Sequence, residues 1–569
     1  MARLYQKVPV PLRRRLVAAV PDRAWPAIRS VVLGQSGPQV AVVRARARLG
    51  GLGEPAATRR RLIPVRLGRW PGLAHPVTGF RAGDVLADHA ALVADALEAG
   101  GVDYLVLEAE TGRPRVLVVA DSLRPAAWAA VEGALAGTGT YVRPGPGRRA
   151  RLVGGFRPGP GASLRIFRCL ASPDGQPLSG PELGCELQFW PEADGSQTNA
   201  SGEPIPAGSL LGDRRAAHRP DVIRPEARAT VREPVDGRPR PRLAVLDRPG
   251  VFSVETPIDA VYTWVDGTDP DWLRAKAEAQ ARLGDASLSA FAANPSRFAS
   301  RDELRYSLRS LDMYADWIRR VFLVTADQVP PWLRLDHPRL SVVSHRELFG
   351  SRGRLPTFNS HAIESQLHHI EGLAENFLYL NDDMFFGRPV SPGDFVLANG
   401  TPKFFLSGVK IPLGPPGPAD LPVTHAAKNN RDLLRQRFDR LATNKLKHIP
   451  YSLRRSVLFD LEREFAEPVA RTARAQFRSP SDVSTAASLA HYYGFLTGRA
   501  VPGALDFLYV DIARAESFDR LEALLRTRRY DVFCLNDHDS AGSDPQRQAE
   551  LLKRFLTRYF PLPSQFELS

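Results

Sequence analysis

Two adjacent carboxylates, Asp382 and Asp383, interrupt the apolar stretch ENFLYLNDDMFFG (residues 375–387). Neighbouring anions repel, and a divalent cation is their natural counter-charge. A run that buries Phe377, Tyr379 and Leu380 and then presents Asn381, Asp382 and Asp383 reads as a strand carrying acids to the carboxyl edge of a sheet. Open α/β folds bind ligands at that edge. A metal held there commonly bridges the diphosphate of a nucleotide-sugar and stabilises the leaving nucleotide. The competing reading is a strand-to-turn transition in which Asn and Asp bond only the local backbone.

Other groups offer complementary chemistry. Asp259 and Asp266 flank AVYTWV, and Asn536 with Asp537 closes the apolar FCLND. Arg301, Arg305 and Arg309 recur at every fourth position, which lines one helix face that could clamp phosphate or pair in solvent with Asp302 and Glu303. His361, His368, His369, His425 and His448 are candidates for proton transfer, and position alone selects none of them. No P-loop, GxGxxG, GxSxG or HExxH occurs. This argues against Walker-type kinases, dinucleotide dehydrogenases, serine hydrolases and zincins.

The elements that must position these groups lie mainly after a boundary near residue 255. There the apolar strand IDAVYT, a helix with Leu304, Leu308 and Leu311 on one face, the strand RVFLVTA, a helix in NSHAIESQLHHIEGLAE and the strand NFLYLN alternate. Such alternation predicts a doubly wound α/β domain. Residues 425–500 read as mostly helical, with one helix beginning in IPYSLRRSVLFDL, and YDVFCLND gives a late strand. Upstream, residues 73–250 read as a smaller accessory α/β domain, and REPVDGRPRPRLAVLDRPG as linker.

With 569 residues and 43% hydrophobic content, the chain is too long for one core. Its three cysteines include no CxxC and read as core thiols. Of the net +14, residues 1–70 contribute 15 Lys/Arg against 2 Asp/Glu. The basic segment 1–72 alternates apolar residues with Arg as an interfacial helix does, although Pro21 and Pro26 interrupt it. Peripheral contact with an anionic membrane competes with an acidic glycan partner and with a solvated Arg-rich arm, and no nucleic-acid motif accompanies the charge. No window approaches a membrane span, so the chain is expected in the cytoplasm, at the inner face of the plasma membrane.

Taken in order, IDAVYTWVDGTDPDW, RDELRYSLRSL, LPTFNSHAIESQLHHIEGLAENFLYLNDDMFFG, HIPYSLRRSVLFDL and CLNDHDSAGSDPQRQAELLKRFLTRYF resemble the conserved regions of the stealth family. This family comprises bacterial capsular and cell-wall polysaccharide phosphotransferases and the catalytic part of the animal lysosomal-enzyme N-acetylglucosamine-1-phosphotransferase. The motifs span residues 257–569 and do not reach 1–250. The resemblance implies a GT-A-like fold, a Mg2+ or Mn2+ requirement, and transfer of a sugar 1-phosphate from a nucleotide-sugar to a hydroxyl of an acceptor glycan. It implies Glu364 and Asp383 as the acidic catalytic pair with His448 and Arg478 beside them. Asp382 and Asp537 then join Asp383 as metal ligands. Asp259, Arg301, Arg305, Lys428 and Asn536 become substrate contacts, while Asp266 stands where animal relatives carry Asn. Two further readings compete: a metal-dependent glycosyltransferase that releases nucleoside diphosphate, and a non-enzymatic glycan-binding protein.

Overall fold

The computed structural model describes residues 54–67, 70–107, 110–159, 163–213, 220–246, 248–283, 300–514, 517–537 and 545–568, with positions 45 and 298. The basic segment's membrane-contact expectation falls mostly on residues 1–53, which apart from position 45 lie outside the described residues.

The upstream region builds a six-stranded mixed sheet against the helix Ala82–Ala99. That helix turns Val93 and Leu97 inward onto Val131 and Leu187. The stretch expected to be linker instead forms an antiparallel hairpin, Thr230–Val235 with Arg238–Leu243. Its turn is Asp236-Gly237, both at positive φ (52° and 78°), the backbone that two-residue hairpins favour. Phe80, Val85, Leu86, Leu178 and Leu183 belong to the same hydrophobic cluster as the downstream sheet. Phe80 packs edge-on against Tyr314 at 6.0 Å, and Arg113 pairs with Asp394 at 2.6 Å.

Downstream, β1 (Ile258–Thr263), β2 (Val321–Thr325), β3 (Leu340–Ser344) and β4 (Asn376–Asn381) are parallel. β6 (Tyr451–Arg454) closes the sheet antiparallel to β4, giving the order β3-β2-β1-β4-β6. The run NFLYL is fully buried, as a continuous apolar strand inside a parallel sheet must be. β5 (Met384–Phe386) leaves this sheet and joins a second one with β7 (Phe507–Asp511) and β8 (Val532–Asn536), in the order β5-β8-β7. Asp382 and Asp383 therefore sit where the chain crosses from one sheet to the other. Helix α1 (Glu303–Tyr314) buries Leu304, Leu308 and Leu311. The short α2 is Ser360–Glu364 and the longer α3 is Pro422–Phe438. β6 falls within the stretch expected to begin a helix; the helix α4 starts only at Arg455 (Arg455–Glu464). Among the described residues, no helix is long and apolar enough to cross a membrane.

Burial pushes His491, 2% exposed, down to about 4. A folded-state value below the unfolded one means that the unfolded chain binds the proton first as pH falls. The stability supplied by neutral His491 is therefore present above pH 6.5 and is lost between 6.5 and about 4. Between pH 7 and pH 5, wild type is expected to lose about 2 kcal/mol more than His491→Gln, as read from denaturant midpoints.

Candidate active site

The antiparallel direction of β6 decides who meets Asp383. Its register sets Tyr451 opposite Tyr379 and Arg454 opposite Asn376, so the amino end of β6 lies beside the carboxyl end of β4. The segment entering β6 then delivers His448 to the acid edge. His448 Nε2 lies 3.5 Å from Asp383 Oδ1, and its Nδ1 is 3.0 Å from the Tyr451 hydroxyl. The Tyr451 ring stacks on Tyr379 with centroids 6.0 Å apart.

β8 supplies the other side. The Leu535 amide donates to the Asp383 carbonyl at 3.0 Å. Asn536 Nδ2 and Cys534 Sγ, two residues apart on one strand face, donate to Asp383 Oδ2 at 2.9 and 3.3 Å. Burial pushes the Cys534 thiol well up, which keeps it a neutral donor. Burial also pushes the Asp383 carboxyl upward, but the His448 charge and the hydrogen bonds from His448, Asn536 and Cys534 outweigh it. The carboxyl is held below its ordinary value. Burial lowers His448, yet the charge and hydrogen bond of Asp383, with the charge of Glu364, win over burial and over Arg478 and hold it above the usual imidazole value.

Glu364 and Arg478 arrive through a separate scaffold. Asn359 caps α2 by accepting from the His361 amide at 3.1 Å. Its side-chain amide donates to Asp482 at 2.8 Å and to the Ala475 and Phe477 carbonyls, which ties α2 to the segment bearing Arg478. Arg478 Nη2 donates to Ser360 Oγ at 2.8 Å, and its buried Nε has no hydrogen-bond partner among the described residues. Burial lowers Arg478 against the raising charges of Glu364 and Asp482. Glu364, at the end of α2 and 5% exposed, accepts from Ser484 Oγ at 3.3 Å and the Ala487 amide at 3.4 Å. Both donors belong to or adjoin a π-helical turn, Thr485–Leu489, an irregularity frequent at functional sites.

A second set of acids backs the first. Burial, then the charges of Glu303 and Asp383, pushes Asp382 well above the usual carboxyl value. Burial chiefly raises Glu303 to about 7. Arg301 pairs with Asp537 at 2.6 Å and reaches Glu303 at 3.8 Å. Asn381 Oδ1 and Asp537 Oδ1 are buried without hydrogen-bond partners among the described residues, and Asp383 Oδ1 faces only His448 Nε2.

Asp382, Asp383, His448 and Asn536 are thus brought together, with Glu364 and Arg478 acting on His448 and with Arg301 and Asp537 beside Glu303. Nine residues named from the sequence do not join them. Asp259 occupies the amino end of β1, where Arg319 grips it at 2.8 and 2.6 Å and the Ala374 amide donates to it at 2.7 Å. Arg305 and Arg309 hold Glu567 at 2.7 Å each, fastening the end of the chain. Lys428 is buried on Asp420 at 2.7 Å, and Asp266 bonds Thr268 in a turn. His361, His368 and His369 pair with Asp482 and Glu462, and His425 bonds the Gly417 carbonyl. Sequence reasoning missed Glu303, Tyr451, Cys534, Ser360 and Ser484. Only Cys534 carried a usable signal, its two-residue spacing from Asn536 on a strand.

Models of the Stealth protein match this chain in four blocks: conserved region 1 at residues 256–284, region 2 at 297–404, region 3 at 447–495 and region 4 at 523–569. Exopolysaccharide phosphotransferase SCO6023 of Streptomyces coelicolor is 44% identical over 502 residues, covering 84% of this chain and 81% of its own. SCO2594 of the same organism, another exopolysaccharide phosphotransferase, is 40% identical over 536 residues (89% and 88%). Exopolysaccharide phosphotransferase CpsY of Mycobacterium tuberculosis is 35% identical over 521 residues (90% and 94%). The four matched regions begin at residue 256, in keeping with the motif span read from the sequence, while the alignment with these relatives extends into the upstream unit.

Proposed function

Because this chain belongs to the Stealth family, we propose that it is a phosphotransferase of exopolysaccharide synthesis that moves a sugar 1-phosphate from a nucleotide-sugar, such as a UDP-N-acetylhexosamine, to a hydroxyl of an acceptor glycan. The acceptor oxygen bonds to the phosphorus nearer the sugar as the bond between the two phosphates breaks. Nucleoside monophosphate leaves, and the product is a phosphodiester. The observation that carries this reading is the meeting of Asp383, His448 and Asn536, with Arg478 and Glu364 beside them, at the carboxyl edge of β4. The strand order reverses there between β1 and β4, the switch point at which such sheets bind ligands. It also supports a GT-A-like reading of the downstream domain.

Solvent access divides the roles. The His448 side chain is 30% exposed, whereas Glu364 is nearly closed off and held by two donors. His448 takes the acceptor proton, and Asp383 steadies the imidazolium that forms. Arg478 offers its unpartnered Nε–H to the phosphate oxygens as negative charge redistributes over them. Ser360 orients Arg478, and the Glu364 charge favours its charged form.

A divalent cation, Mg2+ or Mn2+, fits the acid edge, since Asp537 keeps a buried oxygen without a hydrogen-bond partner among the described residues, Asp383 Oδ1 faces only His448 Nε2 at 3.5 Å, and burial with the charges of Glu303 and Asp383 raises the Asp382 carboxyl. Asp382, Asp383 and Asp537 would hold it by drawing together, since the ligand atoms that already converge at Asp383 are those of His448 and Cys534. When bound, it supplies neutralisation of the diphosphate and of the departing nucleotide. Purified protein incubated with UDP-sugars, acceptor glycan and Mg2+ or Mn2+ is expected to release UMP. Release of UDP instead would mean glycosyl transfer.

A further inference from the structure

Residues 403–447, between β5 and His448, hold an apolar and cationic surface that the proposed chemistry does not use. Six aliphatic side chains stand in solvent there: Leu406 (42% exposed), Val409 (59%), Leu413 (80%), Leu421 (42%), Val423 (38%) and Leu441 (53%). The same 45 residues hold nine Lys/Arg against three Asp/Glu, a net +6. Residues 1–70 carry +13 of the total +14, so the residues outside these two segments together carry −5. Within residues 403–447, Lys428 and Arg431 are buried on Asp420 and Asp432, and Arg437 pairs with Glu464, which leaves Lys410, Arg435 and Arg440 as the exposed cations outside those pairs.

The surface is ordered. A two-stranded ribbon pairs Leu406 with Leu446 and Lys410 with Asn444. The Ile411 amide donates to the Thr443 carbonyl at 2.9 Å. Arg431, buried on α3, donates to the Pro412 and Gly414 carbonyls at 2.9 and 2.8 Å, fixing the loop that lifts Leu413 outward. Lys445 Nζ reaches Thr424 Oγ1 at 3.1 Å, joining the ribbon to the first turn of α3. This order argues against reading the exposed aliphatics as a loose loop.

We propose that this surface rests on an anionic lipid bilayer, with Val409 and Leu413 entering the boundary between headgroups and acyl chains and Lys410, Arg440 and Lys445 at headgroup level. Apolar side chains set among cations are what interfacial attachment to anionic lipid requires. A glycan is disfavoured as occupant because none of the six exposed side chains offers an aromatic face. A second copy of this chain is disfavoured because a symmetric contact would set one cationic face against another. The attachment is separate from any made by residues 1–53, and its readout needs no catalysis.

The test uses the full chain and sedimentation with vesicles of phosphatidylcholine, alone or with about one-third phosphatidylglycerol, at two salt concentrations. Wild type is expected to bind the anionic vesicles and to be partly released by salt. The double variant Val409→Asp/Leu413→Asp, checked for unchanged melting, is expected to bind at least about tenfold less. Leu335→Asp, at another exposed aliphatic position (57%), is expected to bind as wild type does. The proposal is overturned if wild type ignores anionic vesicles or if the double variant binds them fully. It is equally overturned if the double variant splits a dimer in solution while vesicle binding persists.

Discussion

Asp383→Asn is expected to lower kcat/KM by at least about 10³-fold with secondary structure and melting close to wild type. The substitution is nearly isosteric, and β4 and β5 are held by burial on either side, so the fold has little reason to change. The charge that raises His448 is lost, and with it one of the three acids proposed to hold the cation. Asn536 Nδ2, now donating to Asp383 at 2.9 Å, would meet an amide instead of a carboxylate. His448→Gln is expected to cost a similar factor. The double variant should be hardly worse than either single one, because two groups that act as a unit do not contribute additively. Steady-state kinetics on the three folded variants checks this, and additive losses would separate the two side chains.

Arg478→Met is expected to reduce kcat by about 10²-fold or more, with a smaller effect on KM. Its guanidinium is the buried cation next to Glu364 that still has an unpartnered N–H among the described residues, so its loss removes a donor from the oxygens that gain charge. Arg478→Lys is expected to rescue little, since the guanidinium bonds Ser360 through Nη2 and offers Nε–H from a second atom, a spacing that one ammonium nitrogen does not reproduce. Separate kcat and KM values for the two variants, with denaturant midpoints beside them, distinguish lost transition-state contacts from lost fold. A loss confined to KM would show that Arg478 only binds donor.

Much of this site was legible in the chain because the signals are local. A continuous apolar run ending in Asn-Asp-Asp specifies a buried parallel strand and its acid-bearing edge, and FCLND repeats the pattern. Asp259 shows the limit of that logic: it is the second residue of its strand, and an acid that precedes an apolar run lies at the opposite edge from one that follows it. Arg305 and Arg309 form one helix face as expected, but their partner Glu567 lies over 250 residues away, and spacing does not reveal long-range ion pairs. β6 is four residues long and merges into a helical pattern, so periodicity hid the strand whose antiparallel entry brings His448 to Asp383. The hairpin at Thr230–Leu243 was hidden by its Pro and Arg content, although Asp236-Gly237 was the turn signal to weigh.

The measurement closest to the central claim follows one phosphorus atom. A UDP-sugar carrying 32P at the phosphate attached to the sugar is incubated with wild type, acceptor glycan and Mg2+. Label is expected to pass into the glycan through a phosphodiester, with unlabelled UMP released and no transfer by Asp383→Asn. Label retained in UDP while unlabelled sugar enters the glycan would contradict it.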